Sequence, residues 1–390
     1  MPHSDLSHEV VVVGGGIVGA ALALALHRDG VDVALLERGA RPPRWDAQDY
    51  DLRVYAISAA SSQLLTGLGV WPDIAARRIS PYQTMRVWDD EPASALRFDT
   101  SGQAQPQLGH IVENILIQDA LWRHLDAVPQ YLGARLNRLL LDDDAARLTL
   151  DDGREMTARL VVAADGAESQ LRQWAGIECV RWRYPQQAVV CHVRSERPHD
   201  GAALQRFLPQ GPLAFLPLAD GRSSIVWSAT HAAELLALDD ASFCNRLAAA
   251  AQFQLGAIAA CTRRVAYPLH LLHAHDYVQP RLALVGDAAH VVHPLAGQGV
   301  NMGLADAAAL AEVIIHARHS GSDVGALRGL KRYERARKAD NLEMLAVTDG
   351  LQRAFGYRAA GWDSLRGLGM STVNRLTPLM RLLARRAAGS

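Results

Sequence analysis

The stretch from Val10 to Glu37 constrains the fold of this chain more than any other part of its sequence. Four consecutive valines, Val10 to Val13, are typical of a buried parallel strand. A GxGxxG sequence follows at once, and an Ala- and Leu-rich segment then predicts a helix over residues 17–27. Residues 31–36 predict a second strand, which ends at Glu37. Strand, glycine turn, helix, strand and acid together predict a βαβ unit that binds a dinucleotide.

Each glycine of this turn has an expected role. Gly14 makes the tight turn, Gly16 lets a pyrophosphate approach the backbone, and Gly19 lets the helix pack on the strand. Glu37 lies about 20 residues further on, where a carboxylate accepts both ribose hydroxyls. Such a carboxylate repels a 2′-phosphate, so the expected ligand is NAD or FAD rather than NADP. Arg38 follows Glu37 and is a further candidate cofactor residue.

A second glycine-rich segment follows a short apolar strand in the last third of the chain. Residues 282–285 predict that strand, and Gly286-Asp287 ends it. Asp287 therefore lies at the carboxyl end of a strand, where open α/β sheets bind their ligands. A helical pattern runs from about Val300 to Ile315, so a helix N-terminus points at whatever Asp287 holds. Backbone N–H groups and the helix dipole favour negative charge there.

These residues resemble the second FAD-binding motif of the aromatic-ring flavin monooxygenases, GDAAHxxxPxxGxGxNxGxxD. The matching positions are Gly286, Asp287, His290, Pro294, Gly297, Gly299, Asn301, Gly303 and Asp306. The resemblance implies that Asp287 binds the ribityl chain of FAD and that the glycine loop lies along the pyrimidine end of the isoalloxazine. It makes Pro294 and the backbone of Gly297–Asn301, including Val300, the expected catalytic support for the reduced flavin.

Three further positions join the predicted cofactor site through the same resemblance. Residues 160–169 run from a buried strand into Asp165-Gly166, similar to the family's DG motif, which shapes the FAD site and the transient NAD(P)H site. Arg53, in the sequence DLRVYAIS, is expected to contact the flavin or its phosphates, with a surface arginine as the alternative. Residues 110–114, which end in VEN, are expected to open a helix that runs to Leu125, and Gln118 is expected to reach the cofactor from it, with plain helix surface as the alternative.

The resemblance to ubiquinone-biosynthesis hydroxylases extends over nearly the whole chain. Its clearest stretches are LGHIVEN at 108–114, ERPHD at 196–200, SIVWS at 224–228 and RYERARK at 332–338. They are most similar to the 2-polyprenylphenol 6-hydroxylase branch, with the branch that acts on the demethoxy quinol a near second. The resemblance implies an FAD-dependent monooxygenase that uses NAD(P)H and O2, through a flavin C4a-hydroperoxide, to hydroxylate a polyprenylated phenol or quinol.

The predicted fold class is α/β. We expect a Rossmann-like FAD-binding domain, similar to that of p-hydroxybenzoate hydroxylase, with an inserted mixed-sheet substrate domain and a helical C-terminus. The predicted segments are 1–80, 106–179 and 281–320 for the FAD-binding domain, 81–105 and 180–280 for the substrate domain, and 321–390 for the helical region. His290 and His293 are expected to be structural or exposed, with contact to a phenol as the alternative.

Composition excludes several other classes of protein. A net charge of −1 gives no electrostatic argument for nucleic acid. The four cysteines form no CxxC and show no metal-ligand spacing, so we expect reduced thiols in a cytosolic protein and no bound metal. Apart from Val10 to Leu26, which the βαβ unit explains, we expect no membrane-spanning stretch.

The C-terminus is basic and amphipathic. The sequence beyond Gly350 contains seven arginines and a single acidic residue, Asp363. Several leucines lie in the last predicted helix. Such a helix binds an anionic bilayer surface, which predicts a cytoplasmic protein in peripheral contact with the inner face of the membrane and with other ubiquinone-biosynthesis proteins. A helix packed on the core, with its basic face in water, is the alternative.

Three rival functions remain open from the sequence. A soluble aromatic-acid hydroxylase of the same flavin class needs a compact cationic pocket. A flavin-dependent prenyl reductase incorporates no oxygen. A non-catalytic flavoprotein that scaffolds a biosynthetic complex binds FAD but does not oxidise NAD(P)H.

Overall fold

A computed structural model describes residues 6–89, 95–99, 107–292 and 298–356, with the backbone alone at 347–349 and 351–356. Strands and helices in these ranges are numbered in chain order. The strands are β1 (Leu6–Val13), β2 (Val33–Glu37), β3 (Val54–Ser58), β4 (Ile79–Tyr82), β5 (Thr84–Trp88), β6 (Leu96–Asp99), β7 (Gly109–Glu113), β8 (Gln130–Leu132), β9 (Leu136–Leu141), β10 (Ala146–Leu150), β11 (Glu155–Ala163), β12 (Cys179–Ser195), β13 (Ala202–Leu208), β14 (Gly211–Pro217), β15 (Ser223–Ala229), β16 (Ile258–Cys261), β17 (Val265–Ala274), β18 (Val278–Gln279), β19 (Leu282–Leu284) and β20 (His290–Val291).

The helices are α1 (Ile17–Arg28), α2 (Ala59–Gly67), α3 (Trp71–Ala75), α4 (Asn114–Arg123), α5 (Gln170–Trp174), α6 (Ala232–Ala237), α7 (Asp240–Ala250), α8 (Gln298–His319) and α9 (Leu327–Gly356). Helix α1 begins at the predicted residue and ends one residue beyond the predicted end.

The first sheet contains the dinucleotide fingerprint. Its order is β18-β19-β11-β1-β2-β8, and the four central neighbouring pairs from β19 to β8 are parallel. The valines of β1 are fully or almost fully buried, because α1 covers one face of the sheet. Strands β1, β11 and β19 are adjacent, so the turns that follow them open at one edge of the sheet. The three predicted cofactor motifs occupy those turns.

The second sheet has nine strands and is mostly antiparallel. Its order is β20-β17-β12-β15-β14-β13-β5-β6, with β16 beside β12. The pair β13–β5 is parallel, which makes the sheet mixed. A hydrophobic core of its own, built on residues such as Trp88, Phe215 and Trp227, lies between this sheet and α7. Strands from 84–99 and from 179–274 therefore meet in one sheet.

One strand connects these two sheets. Strand β20 lies directly after the Gly286-Asp287 turn but pairs with β17, so the second cofactor motif joins both sheets.

A third sheet, β3-β7-β4, lies between the first two motifs in sequence and holds Arg53 and α4 in place. Residues 110–113, which sequence reasoning placed in a helix, form strand β7, and the helix begins only at Asn114.

Helix α8 is the one described helix that is long and apolar enough to cross a membrane by length and composition. No such stretch was expected in this part of the chain. The helix packs against α1, α2, β3 and α9, and eleven of its residues are buried. Its apolar character is therefore explained by its place in the core.

Candidate functional site

A cavity of about 440 Å³ lies where the first and second sheets meet. One wall is made by the three motif turns and the first residues of α8. The opposite wall is the inner face of the second sheet. The residues that line it are Gly16, Ile17, Val18, Gly19, Arg53, Val54, Tyr55, Ala56, Tyr82, Met85, Asn114, Gln118, Ala164, Gly166, Ala203, Leu204, Gln205, Ala214, Leu216, Val226, Asp287, Val291, Val292, Gln298, Gly299 and Val300.

The glycines of the first motif differ in what surrounds them. A Cβ on Gly14 would lie 2.2 Å from the carbonyl oxygen of Ala164, and Gly14 has a φ of +108°. A Cβ on Gly19 would lie 1.9 Å from the carbonyl oxygen of Gly14. A Cβ on Gly16 would meet nothing within 4 Å, although Gly16 lines the cavity. Gly14 and Gly19 thus allow close packing, and Gly16 leaves open the space that a pyrophosphate requires.

Glu37 holds the first turn in shape. Its two carboxylate oxygens accept hydrogen bonds from the backbone N–H of Gly15 at 2.7 Å and of Gly39 at 2.8 Å. Each oxygen retains a lone pair, so these bonds are compatible with the predicted contact to ribose hydroxyls. Arg38 is exposed and does not line the cavity. Its predicted role has no geometric support in this wall.

The Asp165-Gly166 turn closes the end of β11. One carboxylate oxygen of Asp165 accepts hydrogen bonds from the N–H groups of Gln170 and Leu171, which begin α5. The other oxygen is buried and has no partner among the described residues. Burial raises the pKa of this carboxyl. Gly166 has a φ of +86° and lines the cavity, and a Cβ added to it would meet nothing within 4 Å.

Asp287 faces the cavity. Its side chain is open to the cavity but surrounded by protein, and desolvation raises the pKa of its carboxyl despite the opposing charges of His290, His270 and Arg53. The N-terminal residues of α8 follow along the same wall, where Gln298, Gly299 and Val300 line the cavity. This places a helix N-terminus beside an acidic side chain, as the sequence predicts.

The Asn301 side chain has a different environment from its neighbours. Its oxygen accepts a hydrogen bond from the Ser58 N–H at 3.0 Å, and its nitrogen donates to the Ala56 carbonyl at 2.8 Å. The side chain therefore fastens the end of β3 to α8 and is buried away from the cavity wall. Its contact with a flavin, predicted from sequence, would have to come from its backbone. Pro294, Gly297 and His293 lie outside the described residues.

Arg53 and Gln118 both line the cavity, as predicted. The Arg53 guanidinium lies 5.6 Å from the centre of the Tyr267 ring, a cation–π distance. Gln118 lies one turn into α4. Asn114, the last residue of VEN, also lines the cavity, so the start of α4 contributes two polar side chains to the site.

A buried polar network fastens α9 to the second motif. Asp306, fully buried in α8, accepts hydrogen bonds from His290 at 2.5 Å, from the Gly286 N–H at 3.1 Å and from Arg337 at 3.0 Å. Burial alone would raise the pKa of this carboxyl, but His290 and Arg337 outweigh burial and lower it. His290 therefore has the structural role expected of it. Arg337 was not identified from sequence, although the Asp306 motif position signals a buried acid that needs a cation.

The cavity has the features that FAD requires. An open glycine turn at the N-terminus of α1 suits a pyrophosphate. The Asp287 carboxylate, which is open to the cavity, suits sugar-alcohol hydroxyls. The N-terminus of α8 suits the negative edge of a reduced flavin. The donor set fits the group, and no group of His, Cys, Asp and Glu suited to a metal ion occurs among the described residues.

Comparison with known proteins decides the family. Residues 7–346 match the family described as "FAD binding domain". The chain is 40% identical to 3-demethoxyubiquinol 3-hydroxylase of Escherichia coli over 98% of each chain. It is 41% identical to ubiquinone hydroxylase UbiL of Rhodospirillum rubrum over 99% of this chain and 91% of the relative.

This chain belongs to the FAD-dependent ubiquinone-biosynthesis hydroxylase family. Human mitochondrial ubiquinone biosynthesis monooxygenase COQ6 is 36% identical over 96% of this chain and 91% of the relative. The predicted FAD cofactor and the predicted class of FAD-dependent monooxygenase are confirmed. The NAD(P)H donor, the hydroperoxide route and the roles of individual residues stay predictions.

Solved structures confirm the predicted fold class. The p-nitrophenol 4-monooxygenase PnpA of Pseudomonas putida superposes with a TM-score of 0.78, at 20% identity, over 98% of both chains. PqsL of Pseudomonas aeruginosa superposes with a TM-score of 0.77, at 24% identity, over 93% of this chain. At this identity the similarity shows the fold, which is that of the p-hydroxybenzoate-hydroxylase-like monooxygenases.

Sequence reasoning missed two polar residues that line the cavity outside the motif turns. Tyr82 and Gln205 line the cavity from β4 and β13. No motif marks them, because each is a single polar residue in a strand pattern. Side chains alternate between the two faces of a strand, so the sequence leaves open which face Gln205 joins. Only the register of β13 with its neighbours places Gln205 on the inner face.

Proposed function

We propose that this protein hydroxylates the aromatic ring of a polyprenylated phenol or quinol in ubiquinone biosynthesis, with NAD(P)H as electron donor and O2 as oxygen source. The observation that carries the proposal is the two-sided cavity. One wall consists of the motif turns that suit FAD, and the other is an apolar sheet face. An aromatic ring bound between them lies against the flavin.

The motif wall serves the cofactor. When bound, FAD would accept a hydride from NAD(P)H and activate O2 so that one oxygen atom reaches the substrate. Gly16 leaves room for the pyrophosphate, Asp287 would orient the ribityl chain, and the α8 N-terminus would stabilise negative charge on the ring. These residues position the cofactor and move no protons themselves.

The sheet wall favours an apolar aromatic substrate. Its lining includes Met85, Ala203, Leu216 and Val226, and these side chains exclude water from the reacting ring. Among the described lining residues, Arg53 is the sole cation, and its guanidinium packs on the Tyr267 ring of β17, a strand of the second sheet. The other described lining residues of the second sheet are apolar or neutral, which supports a polyprenylated phenol over a small aromatic acid.

The ring position remains part of the proposal. The sequence stretches quoted above favour the 2-polyprenylphenol 6-hydroxylase branch, whereas the Escherichia coli relative is named for hydroxylation of a demethoxy quinol. Both reactions need the same cofactor wall. The side chains of the sheet wall, which orient the ring, must therefore decide which carbon faces the flavin.

We further propose peripheral contact with an anionic membrane surface, in the cytoplasm, through the basic C-terminus. The support is its sequence: seven arginines and one aspartate beyond Gly350, with leucines at helical spacing. A polyprenyl substrate dissolves in the membrane, so contact with the membrane surface would bring the protein to its substrate. Association with other ubiquinone-biosynthesis proteins is part of this proposal and rests on the family resemblance alone.

The reaction is tested with the purified holoenzyme, NADH or NADPH, a short-chain polyprenylphenol and ¹⁸O2. We expect one labelled oxygen atom in the product ring for each productive turnover. A reduced product without label would identify a prenyl reductase. FAD-bound protein that oxidises neither NADH nor NADPH with any quinol precursor would identify a scaffold. In cells that lack the protein, the accumulated quinone precursor names the ring carbon.

A further inference from the structure

The inner face of the second sheet carries a row of small and apolar side chains with a single amide among them. Strand pairing aligns Gln205 with Ala214 and, across the next strand, Ala214 with Val226. All three line the cavity, and so does Ala203, two residues before Gln205 on the same face. Gln205 is thus surrounded on its own sheet by groups that offer its side chain no hydrogen bond.

The Gln205 carboxamide has no hydrogen-bond partner among the described residues. The residue as a whole is 5% exposed, and it lines the cavity, so the cavity is the space open to its amide. An amide in an apolar wall gains a hydrogen bond only from water or from a ligand in that space. Here the amide faces the space where the substrate ring of the proposed function would lie.

Tyr82 presents a second such group in the same cavity. It is 7% exposed, and its ring packs with Ala203, Leu108 and Ile111. Its hydroxyl has no hydrogen-bond partner among the described residues, and burial raises its pKa to about 12, so it remains a donor at neutral pH. Gly109 makes room for it: a Cβ there would lie 3.1 Å from the Tyr82 hydroxyl oxygen.

The two groups lie within reach of one ring. Tyr82 and Ala203 belong to the same hydrophobic cluster, and Gln205 is two residues beyond Ala203 on β13, a rise of about 7 Å along a strand. Both residues line the cavity that Asp287 and the first residues of α8 also line. A phenol or quinol ring between the walls would therefore present its oxygen atoms to both side chains.

We propose that Gln205 and Tyr82 together recognise the oxygen substituents of the substrate ring and so determine which ring carbon faces the flavin. The inference rests on the proposed function and deepens it. The Gln205 amide oxygen accepts the ring O–H, and the Tyr82 hydroxyl donates to a ring oxygen. Neither group removes a proton, so the pair orients a neutral ring. Hydrogen bonding fixes the ring at an angle that an apolar wall alone would leave free.

The test compares two ligands that differ by one hydroxyl, 2-geranylphenol and geranylbenzene. Their binding to the FAD-loaded protein is followed by the change in flavin absorbance. We expect the wild type to bind the phenol about tenfold more tightly, the effect of one or two net hydrogen bonds. In Gln205→Met and Tyr82→Phe this preference should fall to about threefold or less, and in the double variant to about onefold.

Two control variants make the same chemical changes elsewhere. Gln173→Met alters an exposed glutamine of α5, and Tyr131→Phe alters a half-buried tyrosine on β8 that bonds to His8. Both should keep the wild-type preference. FAD content and melting temperature, measured for every variant, show whether the cavity variants are folded and loaded. A variant that fails to load FAD is replaced by Gln205→Leu or Tyr82→Leu in the same assay.

Turnover gives an independent measurement. If the pair orients the ring, its loss should divert turnover from hydroxylation to release of H2O2, so less product forms per NAD(P)H oxidised while FAD reduction persists. Wild-type preference for the phenol in both cavity variants, with normal product yield, would overturn the inference and leave the proposed function intact. A wild type that shows no preference also overturns it. Failure of the wild type to hydroxylate any phenol would instead overturn the proposed function.

Discussion

At the scale of single residues, the first glycine turn separates positions that serve packing from a position that serves the ligand. Gly16 has an extended backbone with φ of −64° and nothing near a Cβ, whereas Gly19 lies against the Gly14 carbonyl. The same substitution should therefore have opposite consequences at two positions three residues apart.

We predict that Gly16→Ala folds normally but loses FAD, because its methyl group enters the space for the pyrophosphate. Gly19→Ala should instead destabilise the apoprotein by about 1–3 kcal/mol, because its methyl group overlaps a backbone oxygen. Thermal unfolding of the apoproteins and FAD titration measure both effects. Equal loss of stability in the two variants would contradict the assignment.

Asp287 serves cofactor binding but does not stabilise the folded apoprotein. Since burial raises the pKa of its carboxyl, the ionised form is less favourable in the folded apoprotein than in the unfolded chain. We predict that Asp287→Ala lowers FAD affinity at least tenfold without lowering the melting temperature of the apoprotein at pH 7. Asp144→Ala, in an exposed turn, is the control. Wild-type affinity in Asp287→Ala would refute the role in binding.

At the scale of elements, the Asp306 network joins α8, α9 and the second cofactor motif. Its carboxylate accepts hydrogen bonds from the Gly286 N–H and His290 of the second motif and from Arg337 and Asn341 of α9. A helix that carries Arg337 thus determines where the Asp287 turn lies. The network makes α9 a support for the cofactor wall, although none of the α9 side chains that the structure describes lines the cavity.

We predict that Asp306→Asn destabilises the protein by about 3–5 kcal/mol, because a neutral amide leaves the Arg337 guanidinium without its buried carboxylate partner. The pKa of Asp306 is lowered in the folded state, so its contribution is complete above the unfolded pKa of about 3.9 and is lost as pH falls further. Melting temperatures between pH 3 and pH 7 test this. The gap between wild type and Asp306→Asn should narrow below about pH 4.

The control for this series is Asp29→Asn, at the exposed end of α1. It should keep the wild-type melting temperature at every pH. If Asp306→Asn and wild type differ by the same amount at pH 3 as at pH 7, the ionised carboxylate is not the stabilising form, and the argument for the network fails.

At the scale of the whole molecule, the cavity exists because two sheets of different construction meet. The parallel sheet brings three motif turns to one edge, and the mixed sheet supplies an apolar wall opposite them. Strand β20 links the two, since it follows the Asp287 turn and pairs with β17. A shift between the sheets would change the distance between cofactor and substrate.

The basic C-terminus gives a prediction at the same scale. Deletion of the residues after Thr372 should weaken binding to vesicles that contain anionic lipid and leave the flavin absorbance unchanged. Replacement of Arg381, Arg385 and Arg386 by Gln should weaken it less, and added salt should weaken wild-type binding because the attraction is screened. Sedimentation with vesicles measures all of these effects. Equal binding by the deletion variant would remove the membrane proposal.

The sequence by itself determined the cofactor wall. Glycine spacing, buried strands and acids at strand ends are local features, so Gly14, Gly16, Gly19, Asp165 and Asp287 were identified from order along the chain. Family, fold class and cofactor followed from them. Local patterns were weaker where one segment could form either element, as at residues 110–113, which pair as a strand because β3 and β4 flank them.

Only the tertiary structure decided what lies opposite the cofactor. Gln205 and Tyr82 belong to strands far apart in sequence, and strand register determines which face each side chain joins. The same holds for Asn301, whose side chain bonds to β3 rather than lining the cavity, and for Arg337, whose partner lies 31 residues earlier. Motifs encode contacts with a ligand common to many proteins, whereas long-range pairing sets the contacts particular to this one.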